Sequence, residues 1–137
     1  MKVSRVVLAS VLLTFLAGVS SVVSQEKNSP TQVTYQYDPA NQQTIRGWVA
    51  ETRDFQCPVS GTMGSHITVK NELSSIEVHL APASFMKQYE ITIRKGDKVT
   101  VVGSNIIYDG KPALIAKSVI VDSDTYNFRD AKGKPLW

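Results

Sequence analysis

KGDKVTVVGSNIIYDGKPALIAKSVIV, residues 95–121, is the stretch whose reading decides the fold. Two β-rich runs, 98–108 and 111–121, flank Asp109-Gly110. That dipeptide suits a type I′ hairpin turn, because Gly tolerates positive φ and Asp adopts it at small cost. Lys95-Gly96-Asp97 marks a second turn at the entrance, and Gly103 inside the first run reads as a bulge or sharp bend. A long, bent hairpin entered through a tight turn is what the centre of a small closed β-barrel requires.

Working outward, three further strands precede the hairpin. Residues 44–55 alternate Ile45, Gly47 and Val49 with Arg46, Trp48 and Ala50, the period of a half-buried strand. Residues 56–65, punctuated by Pro58, Gly61 and Gly64, read as a loop. Residues 66–70 and 75–81 place Ile67 and Val69, then Ile76, Val78 and Leu80, at alternate positions, with 71–74 as the hairpin loop between them. Residues 82–90 break the β pattern: Pro82 suits a helix start, and Phe85, Met86 and Tyr89 fall on one side of a short helix. After the central hairpin, a brief strand through Tyr126 and Phe128 and a turn at 130–133 lead to Trp137, expected to plug an apolar end of the barrel. The resulting order, β-β-β-α-β-β, is that of the OB-fold, a five-stranded, partly open Greek-key barrel.

The chain's first residues belong to a different class. Lys2 and Arg5 precede an almost unbroken apolar run over 6–19 and the small-residue stretch 20–24, the layout of a secretory signal peptide ending at residue 24. The run is too short to favour a permanent membrane span. Residues 25–43, rich in Gln, Asn, Ser, Thr and Pro, read as a flexible arm leading to an OB-like domain over 44–137. Loss of Lys2 and Arg5 with the leader takes the 15 basic residues to 13 against 12 acidic ones, a mature net charge of +1. Such balance gives no general attraction to nucleic acid or anionic membrane. Export implies an oxidising compartment, periplasmic or extracellular, yet the single cysteine, Cys57, excludes an intrachain disulfide. A packed core must therefore supply the stability.

The segments TIRGWVAE, GSHITVKNELSSIEVHLAP, the central hairpin and the closing FRDAKGKPLW together resemble a group of small exported bacterial OB-fold proteins, largely uncharacterised and sometimes labelled nucleic-acid-binding by fold. The resemblance implies the architecture and export. It implies no catalytic residue, and fold alone is a weak warrant for a ligand.

Two sets of side chains offer chemistry. If 71–74 is a tight connection, Lys70 faces Ser75 and His66 faces His79, so both imidazoles lie about 5 Å apart on one face. Because Ile67, Val69, Val78 and Leu80 take the core parity, that face is expected to look outward. With Cys57 or Met63 from the preceding loop, His66 and His79 would make a soft site for copper or zinc. The second set is a binding face: Arg46 and Trp48 share the outward parity of the first strand, near Arg53, Lys70 and Tyr108. An exposed indole beside cationic groups is a stacking platform for an oligosaccharide, a peptide or single-stranded nucleic acid. A ligand would then be contacted by Arg46, Trp48, His66, Lys70 and His79. No orienting carboxylate is recognisable beside Cys57, and no residue pattern points to catalysis. The function expected is an exported, non-enzymatic binding module. A metal-handling protein of the cell envelope and an accessory subunit of an envelope complex are its alternatives.

Overall fold

A computed structural model describes residues 35–137; the leader and most of the arm, residues 1–34, lie outside the described residues. Six strands form one sheet in the order β3-β2-β1-β4-β5-β6. They are β1 (Gln42–Cys57), β2 (Thr62–Lys70), β3 (Ser75–Pro82), β4 (Lys98–Tyr108), β5 (Lys111–Val121) and β6 (Asp124–Asn127). A single short helix, α1 (Ala83–Gln88), separates β3 from β4. The sheet curls until β3 meets β5 in parallel, pairing Glu77, Val78 and His79 with Ala113, Leu114 and Ile115. This closure turns the β-β-β-α-β-β order into an OB-type barrel, with β6 added at the edge of β5.

The central hairpin follows its sequence signals closely. Asp109 and Gly110 both take positive φ, 50° and 73°, as a type I′ turn requires. The β4–β5 register slips between Val102 and Gly103, which bends the hairpin around the core. At the other turn, the Arg94 N–H donates to Asp97 Oδ2 at 2.7 Å while Gly96 sits at φ 95°. The core inside the barrel comprises Val49, Ile67, Val69, Val78, Leu80, Val99, Val101, Leu114, Val119 and Phe128, with Phe85 of α1 closing one end. Burial of these branched side chains, at about 1.5–3 kcal/mol each, is what holds a disulfide-free domain together.

Three local expectations are corrected. The 56–65 loop is much shorter: β1 runs on to Cys57, β2 begins at Thr62, and only residues 58–61 connect them. Backbone pairing overrides the turn-rich composition here, since Phe55↔Gly64 and Cys57↔Thr62 continue the β1–β2 ladder. Trp137 does not plug the barrel: it is 39% exposed and lies edge-on to Phe85 and over the Arg129 guanidinium. Phe128 is instead the fully buried aromatic of the tail. The tail strand ends at Asn127, one residue short of Phe128.

Tyr35 and Tyr37, at the start of the described segment, pack on the domain. Tyr35 meets the Tyr108 ring at 5.3 Å, and Tyr37 lies 5.5 Å from the Arg129 guanidinium. Trp48 is covered by neither ring and stands 45% exposed.

Candidate metal centre

The register between β2 and β3 pairs Lys70 with Ser75, Thr68 with Glu77 and His66 with His79. The two imidazoles are therefore cross-strand neighbours, with ring centroids 4.6 Å apart in an edge-to-face arrangement. They are not outward-facing ligands in solvent: each is only 2% exposed. Parity alone puts them on the side opposite Ile67 and Val78, but that side is roofed. The Phe55 ring from β1 stacks on His66 at 3.8 Å and 10°. Tyr108 from the end of β4 covers His79 edge-on at 4.5 Å.

Cys57 completes the cluster from the last residue of β1. Its Sγ lies 3.3 Å from His79 Nδ1 and is itself buried. One donor atom from each of Cys57, His66 and His79 falls within 4.8 Å of the other two. Gly64 makes this convergence possible. A Cβ there would come within 2.7 Å of Cys57 Cβ and 3.2 Å of His66 Cε1, so any side chain would push the thiol and imidazole apart. Met63 does not join them. It pairs with Gln56 on the opposite parity from Cys57 and is 48% exposed.

Burial holds both imidazoles neutral, His66 with its pKa lowered to about 4 and His79 to about 3. Neutral imidazole is the form that ligates metals. Both ring nitrogens of His66 and Nε2 of His79 have no hydrogen-bond partner among the described residues. Unsatisfied buried polar atoms are uncommon, and each calls for a cause such as an ion or a water. Glu77, two residues before His79 on the same face of β3, was not recognised from the sequence. Its Oε1 lies 3.6 Å from His79 Nε2, and its Oε2 accepts from Arg53 Nη2 at 3.1 Å. Alternation along β3 was the signal that could have found it.

Cys57, His79 and Glu77 thus line up as thiol, imidazole and carboxylate. Cys57 is only 2% exposed.

The remaining sequence-selected residues lie apart. Arg46 and Trp48 line a groove of 740 Å³ with Leu73, Lys98, Ile120 and Asp122. Lys70 pairs with Trp48 across β1–β2 but is absent from that lining. His66 sits four residues along β2 from Lys70, about 13 Å away at the strand rise, with His79 beside it on β3. A single contact surface through Arg46, Trp48, Lys70, His66 and His79 is therefore replaced by two separate sites. A second depression, of 1150 Å³, runs past Arg53, Phe55, Glu77, Tyr108 and Lys111, over the roof of the histidine pair.

With this geometry in place, comparison with known proteins supplies a family. The model of the MamS/MamX magnetosome protein family matches residues 41–126. The chain belongs to that family. The matched segment carries β1 to β5 and with them Cys57, His66, Glu77 and His79, while Arg129 and Trp137 lie beyond it. No curated protein matches this MamS/MamX chain.

Among solved structures, similar ones include a replication protein A heterotrimer bound to ssDNA, at 18% identity, 61% coverage of this chain and 59% of that one, TM-score 0.46. The S. pombe Stn1-ten1 complex is similar at 18% identity, 65% and 71% coverage, TM-score 0.48. The S. cerevisiae mitochondrial single-stranded DNA binding protein Rim1 is similar at 12% identity, 64% and 96% coverage, TM-score 0.48. The chain thus spans 59% of the replication protein chain it matches. The OB assignment rests on strand order and on the β3–β5 closure. Among the described residues, no helix is long and apolar enough to cross a membrane.

Proposed function

We propose that this MamS/MamX protein is an exported, non-enzymatic binding module whose ligand is a soft transition-metal ion, copper or zinc, held by Cys57, His66 and His79. One observation carries the reading: a thiol and two neutral imidazoles, all buried, each offer a donor atom within 4.8 Å of the other two. Metal–nitrogen and metal–sulfur bonds of about 2.0–2.3 Å place ligand atoms about 3.5–4 Å apart, so small side-chain adjustments suffice. Thiolate plus imidazole is a donor set suited to copper and zinc rather than calcium or magnesium. The leader-like residues 1–24 support delivery to the periplasm or the cell exterior.

The test is titration of the purified protein with Cu(I), Cu(II) and Zn(II). One ion per chain is expected, with affinity falling at least about 10-fold in Cys57→Ser, His66→Ala and His79→Ala and unchanged in Met63→Leu. Stoichiometric binding that ignores all three substitutions, or no binding, would overturn the reading.

A second reading is favoured by the groove at Trp48. Its indole is 45% exposed beside Arg46 and Lys98, a stacking surface with cationic edges. It fits a small organic ligand, an oligosaccharide or a segment of an envelope protein better than nucleic acid, given the balanced charge of the mature chain. Quenching or a blue shift of tryptophan emission on titration with oligosaccharides is expected, and lost in Trp48→Ala. An unchanged signal with oligosaccharides, oligonucleotides and envelope extracts counts against it.

A further inference from the structure

Beneath the roof of Phe55 and Tyr108, the three donors have a neighbour that decides how they bind. Glu77 Oε1 is buried and without a hydrogen-bond partner, as is His79 Nε2, 3.6 Å away. This carboxylate faces the edge of the imidazole opposite to Nδ1, and Nδ1 is the atom that faces Cys57 Sγ at 3.3 Å. An ion sitting between Nδ1 and Sγ is therefore beyond the reach of Glu77, which meets the far side of the ring. Arg53 fixes the carboxylate in that pose, with Nη2 donating to Oε2 at 3.1 Å.

Resting on the metal-binding reading above, we infer that the centre is a three-coordinate cuprous site, Cys57 Sγ, His66 and His79 Nδ1, with Glu77 as the positioning residue of His79 and not as a fourth ligand. Three arguments carry it. A ligating histidine ordinarily gives its other N–H to a carboxylate or carbonyl, which fixes the tautomer and strengthens the ligand. Here Glu77 Oε1 stands 3.6 Å from His79 Nε2, just beyond hydrogen-bond distance, so a small closing movement on metal binding lets it accept Nε2–H, and that tautomer leaves the Nδ1 lone pair free on the sulfur side. Coordination number is the second. Zinc takes four donors in a tetrahedron, all from protein or three from protein with a water in the fourth place. The described Cys/His/Asp/Glu residues that converge here are three and each is only 2% exposed, which disfavours an added water. Met63 is turned away and exposed. Charge is the third. With the Glu77 carboxylate already paired to Arg53, a thiolate and a monovalent ion leave the centre neutral, whereas a divalent ion leaves a net positive charge in a buried site, where an uncompensated charge is costly. Binding replaces the Cys57 S–H bond by an S–Cu bond and releases that proton to solvent, with no change in the oxidation state of copper.

X-ray absorption on the Cu(I)-loaded protein tests the first shell, and competition against a Cu(I) chelator tests the second. We expect one sulfur and two nitrogens with no oxygen, in wild type and in Glu77→Gln alike. Glu77→Ala should weaken Cu(I) by about 10- to 100-fold, with Glu77→Gln, which keeps an acceptor oxygen, recovering most of the loss. Arg53→Met, which frees the carboxylate without removing it, should weaken binding to a lesser degree. If wild type binds copper or zinc with an oxygen in the first shell, or binds zinc in preference to Cu(I), the three-coordinate assignment fails and the metal reading stands. Cu(I) affinity that is the same in wild type and Glu77→Ala removes the positioning role. Wild type that binds neither ion overturns the metal reading itself.

Discussion

His66 and His79 set the pH behaviour of the free protein. Burial lowers their pKa values to about 4 and about 3, against about 6.5 for an exposed imidazole in the unfolded chain. Between pH 6.5 and these values the unfolded state binds more protons than the native one, so stability falls as the solution is acidified. Each histidine contributes a slope of at most about 1.4 kcal/mol per pH unit across its window. Thermal unfolding of metal-free protein should show Tm steady above pH 7 and declining from pH 6 toward 4. A flat profile over that range would show that the imidazoles are not buried neutral. Gly64 is the other decisive single position. Its replacement by Ala forces a Cβ to within 2.7 Å of Cys57 Cβ, an overpacking expected to destabilise by about 1–3 kcal/mol and to abolish metal binding. Urea denaturation and a metal titration of that variant check both effects.

At the scale of elements, β4 and β5 run over the same residues that the sequence marks, Lys98–Tyr108 and Lys111–Val121. They were legible because the alternation, the Asp-Gly turn and the bulge glycine are all local signals that agree. Gly110 has open space around its α-carbon, so its role is conformational: Gly110→Ala should lower stability by about 1 kcal/mol through its φ of 73° alone, measurable as a drop in Tm. The His66–His79 register was equally legible, since a four-residue loop leaves few ways to pair the flanking strands. What roofs the pair was not. Tyr108 comes from the end of β4, far along the chain, and although Phe55 lies on the neighbouring β1, strand parity reports which side of a sheet a residue occupies, not what covers that side. The β1–β2 connection differs for a related reason: Gly64 and Pro58 suggest a loop by composition, whereas the glycine serves close packing inside a strand.

Across the whole molecule, the feature least visible in the sequence is Arg129. It is 7% exposed and, among the described residues, pairs with no carboxylate; Nη1 donates to the Gly133 carbonyl at 3.0 Å. The guanidinium lies 5.5 Å from the Tyr37 ring and 5.0 Å from the Trp137 ring. Cation–π attraction to two aromatic faces, worth about 0.5–2 kcal/mol apiece, compensates part of its desolvation. Arg129→Lys is expected to destabilise nearly as much as Arg129→Ala, because an ammonium cannot stack as a planar guanidinium does. Chemical denaturation of both variants checks this. Since Tyr37 and Trp137 meet on one side chain, the two ends of the described segment lie side by side. The order of the strands along the chain is then separable from their order in space. A circular permutant that joins residue 137 to residue 35 through a short Gly-Ser link, and opens at Leu73, whose side chain is 96% exposed, should fold to the same barrel. Its histidine pair would come from opposite ends of the new chain.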